Sequence, residues 1–266
     1  KVQGKESLVE FSSCGSAIAR LAYDSAMTHP SEAIAKKTIA LELSVMRSGS
    51  TLLKALMSAA PDISSLPETN FQKFQSDNAE EEVSSLSGER IIVLKRPAWF
   101  NEIDSYPRLP NVADHKRVIL ARDVHTTTAS LRKMAFRKAE PLVPKRADNW
   151  LANRYWAEVY LNLLQRFPDD GISNFWIRYE DLVSGPIEWT GKLFRFLGSD
   201  RSEGTDSYPP PSGYDWKWGT DDGGEKIKSL KVQAPSIPQS SLAILDRVQN
   251  LPSVKKAREK LGYAAS

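Results

Sequence analysis

The stretch that decides the fold is Arg47-Ser48-Gly49-Ser50-Thr51-Leu52. It follows residues 38–45, which alternate and are rich in apolar side chains, as expected of a strand in a layered α/β protein. It leads into residues 50–59, whose apolar side chains recur at helical spacing. Gly49 permits close backbone approach, and the unpaired N–H groups at a helix start point at whatever anion binds there. The sequence therefore predicts an anion-binding strand, loop and helix; the alternative is a Ser/Gly-rich turn that caps the helix and binds no ligand.

The loop differs from the P-loop of nucleoside triphosphatases, which needs the pattern G-x-x-x-x-G-K-S/T. Ser44 stands five residues before Gly49, where that pattern has a glycine, and Ser50 stands in place of its lysine. A P-loop kinase would thus lack its phosphate-bridging lysine. Such a kinase stays open as an alternative, as does a regulatory protein that binds a nucleotide without catalysis.

The composition is that of a soluble globular protein. The chain has 266 residues, 41% hydrophobic and 26% charged, which fits a single α/β domain over residues 1–266. The net charge of +3 gives no electrostatic case for nucleic acid as a partner. Cys14 is the single cysteine, which favours a reducing, cytoplasmic compartment and leaves no Cys/His cluster for a metal. No apolar run approaches the roughly 20 residues of a membrane helix, and we expect neither a signal peptide nor a membrane partner.

Short strands alternate with helices along the chain. Strands are predicted at 38–45, 62–66, 90–94, 117–121 and 174–178, and helices at 50–59, 125–138, 147–167, 186–197 and 240–260. Residues 1–37 are expected to form an N-terminal helical segment, and 199–238 a long loop or flap. This alternation predicts a three-layer α/β fold, with a central parallel sheet flanked by helices.

Three of the predicted strands lead into a basic residue: Arg47, Lys95 and Arg122. Ligands of open parallel sheets bind at the carboxyl ends of the strands. If the three cations meet there, they indicate a ligand with more than one anionic group. The alternative is that each is a solvated strand end.

At this point the sequence resembles the sulfotransferases that use 3′-phosphoadenosine 5′-phosphosulfate (PAPS). The stretch 47–52 looks like their 5′-phosphosulfate loop, and 118–123 with Ser130 looks like their 3′-phosphate motif. Residues 178–183 and 194–198 are similar to two further stretches of the family. The matches occur in the family's order and extend over roughly residues 38–198.

The resemblance implies which residues bind PAPS and its product, adenosine 3′,5′-bisphosphate. Arg122 and Ser130 would hold the 3′-phosphate, and Tyr179 would lie against the adenine, unless it is a half-buried core tyrosine. Lys226 would belong to a loop that closes over the nucleotide. The loop that would hold the 5′ end comprises Arg47, Ser48, Gly49, Ser50, Thr51 and Leu52.

The resemblance also implies the catalytic residues. Residues 61–68 resemble a segment of the heparan-type and several bacterial branches that ends in a glutamate base, which here is Glu68; the alternative is a surface carboxylate. Lys95 opens a stretch whose lysine contacts the transferring group, and Arg47 would neutralise charge on it. The histidine-base cytosolic branch fits less well, because Pro97 stands at the place of its histidine. His125, beside Arg122, would be structural or phosphate-facing.

The expected reaction is direct in-line transfer of a sulfuryl group from PAPS to a hydroxyl or amine of a small-molecule acceptor, without a metal. Trp216 and Trp218 would line the acceptor pocket, unless the late loop is a disordered flap with hydrophobic anchors. The acceptor's identity and the oligomeric state stay open.

Overall fold

Four parallel strands run through the centre of the computed structural model, which describes residues 36–136, 144–215, 225–234 and 239–263. The strands are β1 (Thr38–Ser44), β2 (Ile91–Lys95), β3 (Lys116–Ala121) and β4 (Asn174–Arg178), in the spatial order β2-β1-β3-β4. β1 lies between β2 and β3, so its carboxyl end is at the middle of the sheet edge. The predicted segment 1–37 lies almost entirely outside the described residues, as do Trp216 and Trp218.

Helices cover both faces of the sheet. They are α1 (Ser50–Met57), α2 (Ala79–Ser84), α3 (Val124–Phe136), α4 (Arg146–Asn149), α5 (Glu158–Arg166), α6 (Tyr179–Ser184), α7 (Pro186–Leu197), α8 (Glu225–Lys228), α9 (Gln239–Val248) and α10 (Pro252–Lys260). Trp150–Ala157 joins α4 to α5 with wider, π-type turns. The three-layer α/β prediction is confirmed.

Alternation along β1 divides the core into two parts. Ile39, Leu41 and Leu43 pack with residues of α3, α5, α9 and α10 on one face. Ala40 packs with residues of α1 and α7 on the other face. Because successive side chains of a strand point to opposite faces, Glu42 shares the α1 side with Ala40. The sheet is thus buried on both faces, as parallel sheets are.

Two of the predicted elements are wrong. Residues 62–66 do not form a strand: Ile63 makes an isolated parallel bridge with Ile91, and Pro61 and Pro67 limit how far the pairing extends. The single helix predicted at 240–260 is two helices, α9 and α10. Pro252 begins α10, because its missing N–H is tolerated in the first turn of a helix but not in its interior.

The predicted long loop at 199–238 contains ordered structure where it is described. An antiparallel bridge joins Ser207 to Lys231, and α8 lies between these two residues in the chain. Thr205 N donates to Thr190 Oγ1 on α7 at 2.7 Å. At Gly204 a Cβ would lie 1.6 Å from the Ile187 carbonyl oxygen, so only glycine fits against α7 there.

Candidate active site

The loop between β1 and α1 opens onto a cavity at the carboxyl ends of the strands. Gly49 has φ +100°, and a Cβ there would lie 2.4 Å from the ring of Tyr179. Arg47 also takes a left-handed conformation, with φ +67°. This backbone aims the first N–H groups of α1 at the cavity, where they lack intrahelical acceptors. The start of α1 therefore faces the cavity, with Gly49, Ser50, Thr51 and Leu52 in its wall.

The cavity has a volume of about 370 Å³. Arg47, Lys95 and Arg122 all line it, so the three strand ends do converge. Ser48 does not line the cavity; its side chain is buried, and its hydroxyl has no hydrogen-bond partner among the described residues. The other predicted site residues that line it are Gly49, Ser50, Thr51, Leu52, Glu68, Ser130, Tyr179 and Lys226.

One end of the cavity is built around two arginines. Arg47 Nε donates to Ser130 Oγ at 2.8 Å, and Arg122 Nη1 donates to the Arg47 carbonyl oxygen at 3.2 Å. The Arg122 guanidinium stacks on the Tyr179 ring, 4.4 Å from its centroid. Thr126 Oγ1 accepts from Arg122 Nε at 3.1 Å and holds the guanidinium in place. This end offers planar cationic donors of the kind that recognise phosphate.

The other end holds an ion pair. Lys95 Nζ lies 2.9 Å from Glu68 Oε2 and 3.3 Å from Thr51 Oγ1. The Lys95 side chain is nearly buried, at 6% exposed, whereas Glu68 is 26% exposed and faces the cavity. A carboxylate and an ammonium therefore lie side by side, next to the first turn of α1.

Two charged residues missed by the sequence reasoning lie beneath that pair. Glu42 on β1 is fully buried, and burial raises its pKa to about 7 against the opposing effect of Lys95. Lys54 on α1 is 5% exposed, and burial together with Lys95 lowers its pKa to about 7. Lys54 Nζ donates to Tyr214 Oη at 3.2 Å. A glutamate inside the apolar run 38–45 was the signal that could have drawn attention to Glu42.

Apolar side chains complete the cavity wall. Trp99 is 39% exposed and lies near the Arg96 guanidinium, while Phe100 packs edge-on against Tyr155. The late segment, residues 225–234, contributes the polar groups of Lys231 and Gln233. The sequence did not predict them, because this segment has no regular pattern. The further lining residues are Met46, Pro97, Met134, Tyr208, Ile227, Lys231, Gln233 and Ala234.

Two buried tyrosines tie the walls together. Tyr106 Oη accepts from Ser44 N at 3.1 Å and donates to the Arg96 carbonyl oxygen at 2.8 Å. Tyr155 Oη accepts from Met46 N at 2.7 Å and donates to the Ala98 carbonyl oxygen at 2.6 Å. Each hydroxyl thus joins the chain leaving β1 to the chain leaving β2.

His125 is not part of the cavity wall. It is buried, with Nδ1 3.5 Å from Asp123 Oδ2, and Asp123 also accepts from Arg258 Nε at 3.1 Å. Burial opposes ionisation of Asp123, but His125 and Arg258 outweigh it and hold the pKa of Asp123 below its usual value. Of the two predicted roles for His125, the structure favours the structural one.

Comparison with known proteins shows the fold. No protein-family model matches the sequence, and no curated protein matches it. The sulfotransferase domain from the curacin biosynthetic pathway is 20% identical with a TM-score of 0.50, over 86% of this chain and 99% of that chain. The sulfotransferase domain from the Synechococcus PCC 7002 olefin synthase is 18% identical with a TM-score of 0.53, over 87% of this chain and 97% of that one. This chain therefore has the fold of sulfotransferase domains, and the resemblance seen in the sequence is confirmed at that level.

Two further observations apply to the described residues alone. Within them, no three His, Cys, Asp or Glu side chains are arranged to hold a metal ion. Nor does any helix in these parts of the chain have the length and apolarity to cross a membrane.

Proposed function

We propose that this protein is a sulfotransferase that moves a sulfuryl group from PAPS to a hydroxyl or amine of a small-molecule acceptor. The observation that carries the proposal is one cavity with Arg47 and Arg122 at one end and, at the other, a Lys95–Glu68 pair 2.9 Å apart beside the first turn of α1. PAPS has anionic groups at both ends of an adenosine, so its binding site needs two separated sets of donors. The sulfotransferase fold supports the same conclusion.

The chemistry of the donor groups fits PAPS. Arg122 and Ser130 would bind the 3′-phosphate, since a guanidinium fork matches phosphate oxygens. The 47–52 loop would bind the 5′-phosphosulfate through backbone N–H groups at the start of α1, Ser50 and Thr51. Tyr179, held against Gly49, would lie at the adenine, and Lys226 would come from the late segment. Ser48 acts in this scheme through its backbone, because its side chain does not reach the cavity.

The catalytic roles follow from position and charge. Glu68 would remove the acceptor's proton as the acceptor oxygen or nitrogen bonds to sulfur and the bond from sulfur to the leaving phosphate oxygen breaks. Lys95 would neutralise charge that develops on the sulfuryl and leaving oxygens. Arg47 would do the same after its side chain, which donates to Ser130 in this structure, turns from the arginine end toward the transferring group. In-line transfer of this kind needs positioning and charge stabilisation more than covalent catalysis. We further propose that the protein acts as a single domain and, given its lone Cys14, in the cytoplasm.

The proposal is tested by transfer of label from sulfur-35 PAPS to a panel of alcohols, phenols and amines. Glu68→Gln and Lys95→Ala should each lower the rate, with a loss of about 10²–10⁴-fold expected for a general base. Glu188→Gln is a matched control, because Glu188 lies on the exposed side of α7 in a salt bridge with Lys192. Rates near wild type in both active-site variants would refute the assigned roles.

Thermal shift separates the donor classes without requiring the acceptor. Adenosine 3′,5′-bisphosphate should raise the melting temperature, and ATP should raise it much less, because the loop lacks the lysine of a P-loop. Stabilisation by ATP alone would favour a kinase. Stabilisation by the bisphosphate with no transfer to any acceptor would favour a non-catalytic nucleotide-binding protein.

A further inference from the structure

The Glu42 carboxyl group is buried without a hydrogen bond or ion pair that would offset the free-energy cost of its burial. Its side chain is fully buried on an inner strand of the sheet, and neither carboxyl oxygen has a partner in hydrogen-bond geometry among the described residues, although the Ser44 hydroxyl, with Lys95, opposes the rise of its pKa. Burying a polar group without such a partner costs free energy, and burying a charge costs more. A leucine or valine at this position would avoid the cost, so a functional explanation is required.

The groups that face Glu42 are mostly charged. Lys95 is its direct partner across the β1–β2 pair, and alternation places both side chains on the α1 side of the sheet. Lys54 approaches from α1 and Glu68 from the segment after it, and both act on the charge of Glu42. On the remaining sides lie the buried phenols of Tyr106 and Tyr160, which are electrostatically coupled to the same carboxyl.

Lys95 therefore has two carboxyl groups within its surroundings. In the present structure it bonds to Glu68, at 2.9 Å, and makes no hydrogen bond to Glu42. The hydrogen bond from Lys95 occupies Glu68 Oε2, so this oxygen can take a proton from an acceptor only when that bond lengthens or breaks.

We propose that Glu42 is a positioning residue, which takes up the Lys95 ammonium when it leaves Glu68; this frees Glu68 to accept the acceptor's proton and keeps Lys95 at the wall of the cavity. The inference rests on the proposed sulfotransferase function. Glu42 does not touch either substrate in this scheme; it acts through Lys95. A carboxylate pulling from beneath also balances the charge of Lys95 while the contact with Glu68 is absent.

The first test is the pH dependence of kcat in Glu42→Gln, a substitution that keeps the shape and removes the charge. Because burial raises the pKa of Glu42 to about 7, kcat of the wild type should rise between about pH 6 and pH 8 as Glu42 ionises. In Glu42→Gln this rise should disappear, with kcat at about pH 8 lowered roughly tenfold or more and KM for PAPS nearly unchanged. Glu42→Asp should restore part of the rise.

A control separates this from general damage to the core. Ile39→Val removes one methyl group from the opposite face of β1, where Ile39 is 2% exposed. It should leave the shape of the pH profile unchanged. A Glu42→Gln profile that keeps its rise, or is scaled down equally at every pH, would overturn the proposal.

The second test needs no activity, so it decides the proposal even if the protein transfers no sulfate. If Lys95 can pair with either carboxyl, Glu68→Gln should release it to Glu42 and make the ionised Glu42 less costly. The loss of thermal stability that Glu42 causes between about pH 5 and pH 7 should then shrink more when Glu68→Gln is made in the wild type than when it is made in Lys95→Met, where only the repulsion between the two carboxylates is removed. Equal shrinkage in the two backgrounds would show that Lys95 does not pass to Glu42. Failure of transfer in the wild type, with this coupling intact, would count against the sulfotransferase function alone.

Discussion

Replacing Glu42 with glutamine should stabilise the protein in a pH-dependent way. Burial raises the pKa of Glu42 from 4.5 to about 7, with Lys95 opposing the effect. Between these values the folded state binds more protons at this site than the unfolded state, so stability falls as the pH rises through the window. Above about pH 7, the ionised Glu42 carboxylate lowers the unfolding free energy by the full amount that corresponds to the pKa shift.

The size of this penalty follows from the two pKa values. One pKa unit corresponds to about 1.4 kcal/mol, so raising the pKa of Glu42 from 4.5 to about 7 costs the folded state about 3 kcal/mol at pH 8 and less than about 1 kcal/mol at pH 5. Glutamine fills the same space but carries no charge at either pH. The difference in unfolding free energy between Glu42→Gln and the wild type should therefore grow by about 2–3 kcal/mol from pH 5 to pH 8.

The assay is thermal or urea unfolding of both proteins at a series of pH values. For a domain of this size, the change corresponds to roughly 2–4 °C in melting temperature per kcal/mol. Ile39→Val serves again as a control, since its difference from wild type should not depend on pH. A pH-independent difference for Glu42→Gln would show that the buried carboxyl does not titrate in this range, and the reasoning from burial would be refuted.

Three further predictions concern Gly49 in the loop after β1, Arg122 at the arginine end of the cavity, and the buried Lys54. Gly49→Ala should destabilise the fold by about 1 kcal/mol or more, because of its left-handed backbone and the 2.4 Å approach to Tyr179, whereas Gly88→Ala, with nothing within 4 Å, should not; melting temperatures check both. Arg122→Lys should weaken binding of adenosine 3′,5′-bisphosphate by about tenfold in calorimetry, since lysine loses the fork and the stacking on Tyr179; unchanged affinity would remove Arg122 from the site. Burial lowers the pKa of Lys54 from 10.5 to about 7, so the contribution of Lys54 to stability should rise with pH between these two values. Lys54→Met should therefore stabilise the protein most at about pH 7 and below; a gain that persists undiminished at pH 10 would contradict this.

The sequence predicted which edge of the sheet carries the cavity, for a physical reason. Parallel strands buried on both faces are short apolar runs, and their ends are sharp, so the residue after each run is readable. Arg47, Lys95 and Arg122 could thus be predicted to lie at one edge of the sheet, and all three line the cavity there. The glycine at position 49 marked the turn in the same way.

The residues that escaped prediction depend on contacts between distant segments. Glu42 interrupts an apolar run, but only the register of β1 against β2 places it opposite Lys95. Residues 62–66 have the composition of a strand, yet they make a single bridge, at Ile63, and beyond it the Val93 amide donates to the Ser64 hydroxyl instead of to a backbone carbonyl. The lining residues of the late segment follow no period at all, and the bridge between Ser207 and Lys231 that holds them is a tertiary contact.

The hydrogen bonds of Tyr106 and Tyr155 have a consequence for how fast the backbone beside the cavity can open. The amides of Ser44 and Met46 donate to phenolic oxygens that are buried, at 3.1 Å and 2.7 Å. Amides bonded in this way exchange with solvent hydrogen only in openings that also expose the core, so both should exchange as slowly as the central strands. The backbone at Ser44 and Met46 would then keep its conformation on the timescale of turnover. A change in acceptor specificity would then arise at the exposed part of the cavity wall around Trp99. Selection for new acceptors should accumulate substitutions there.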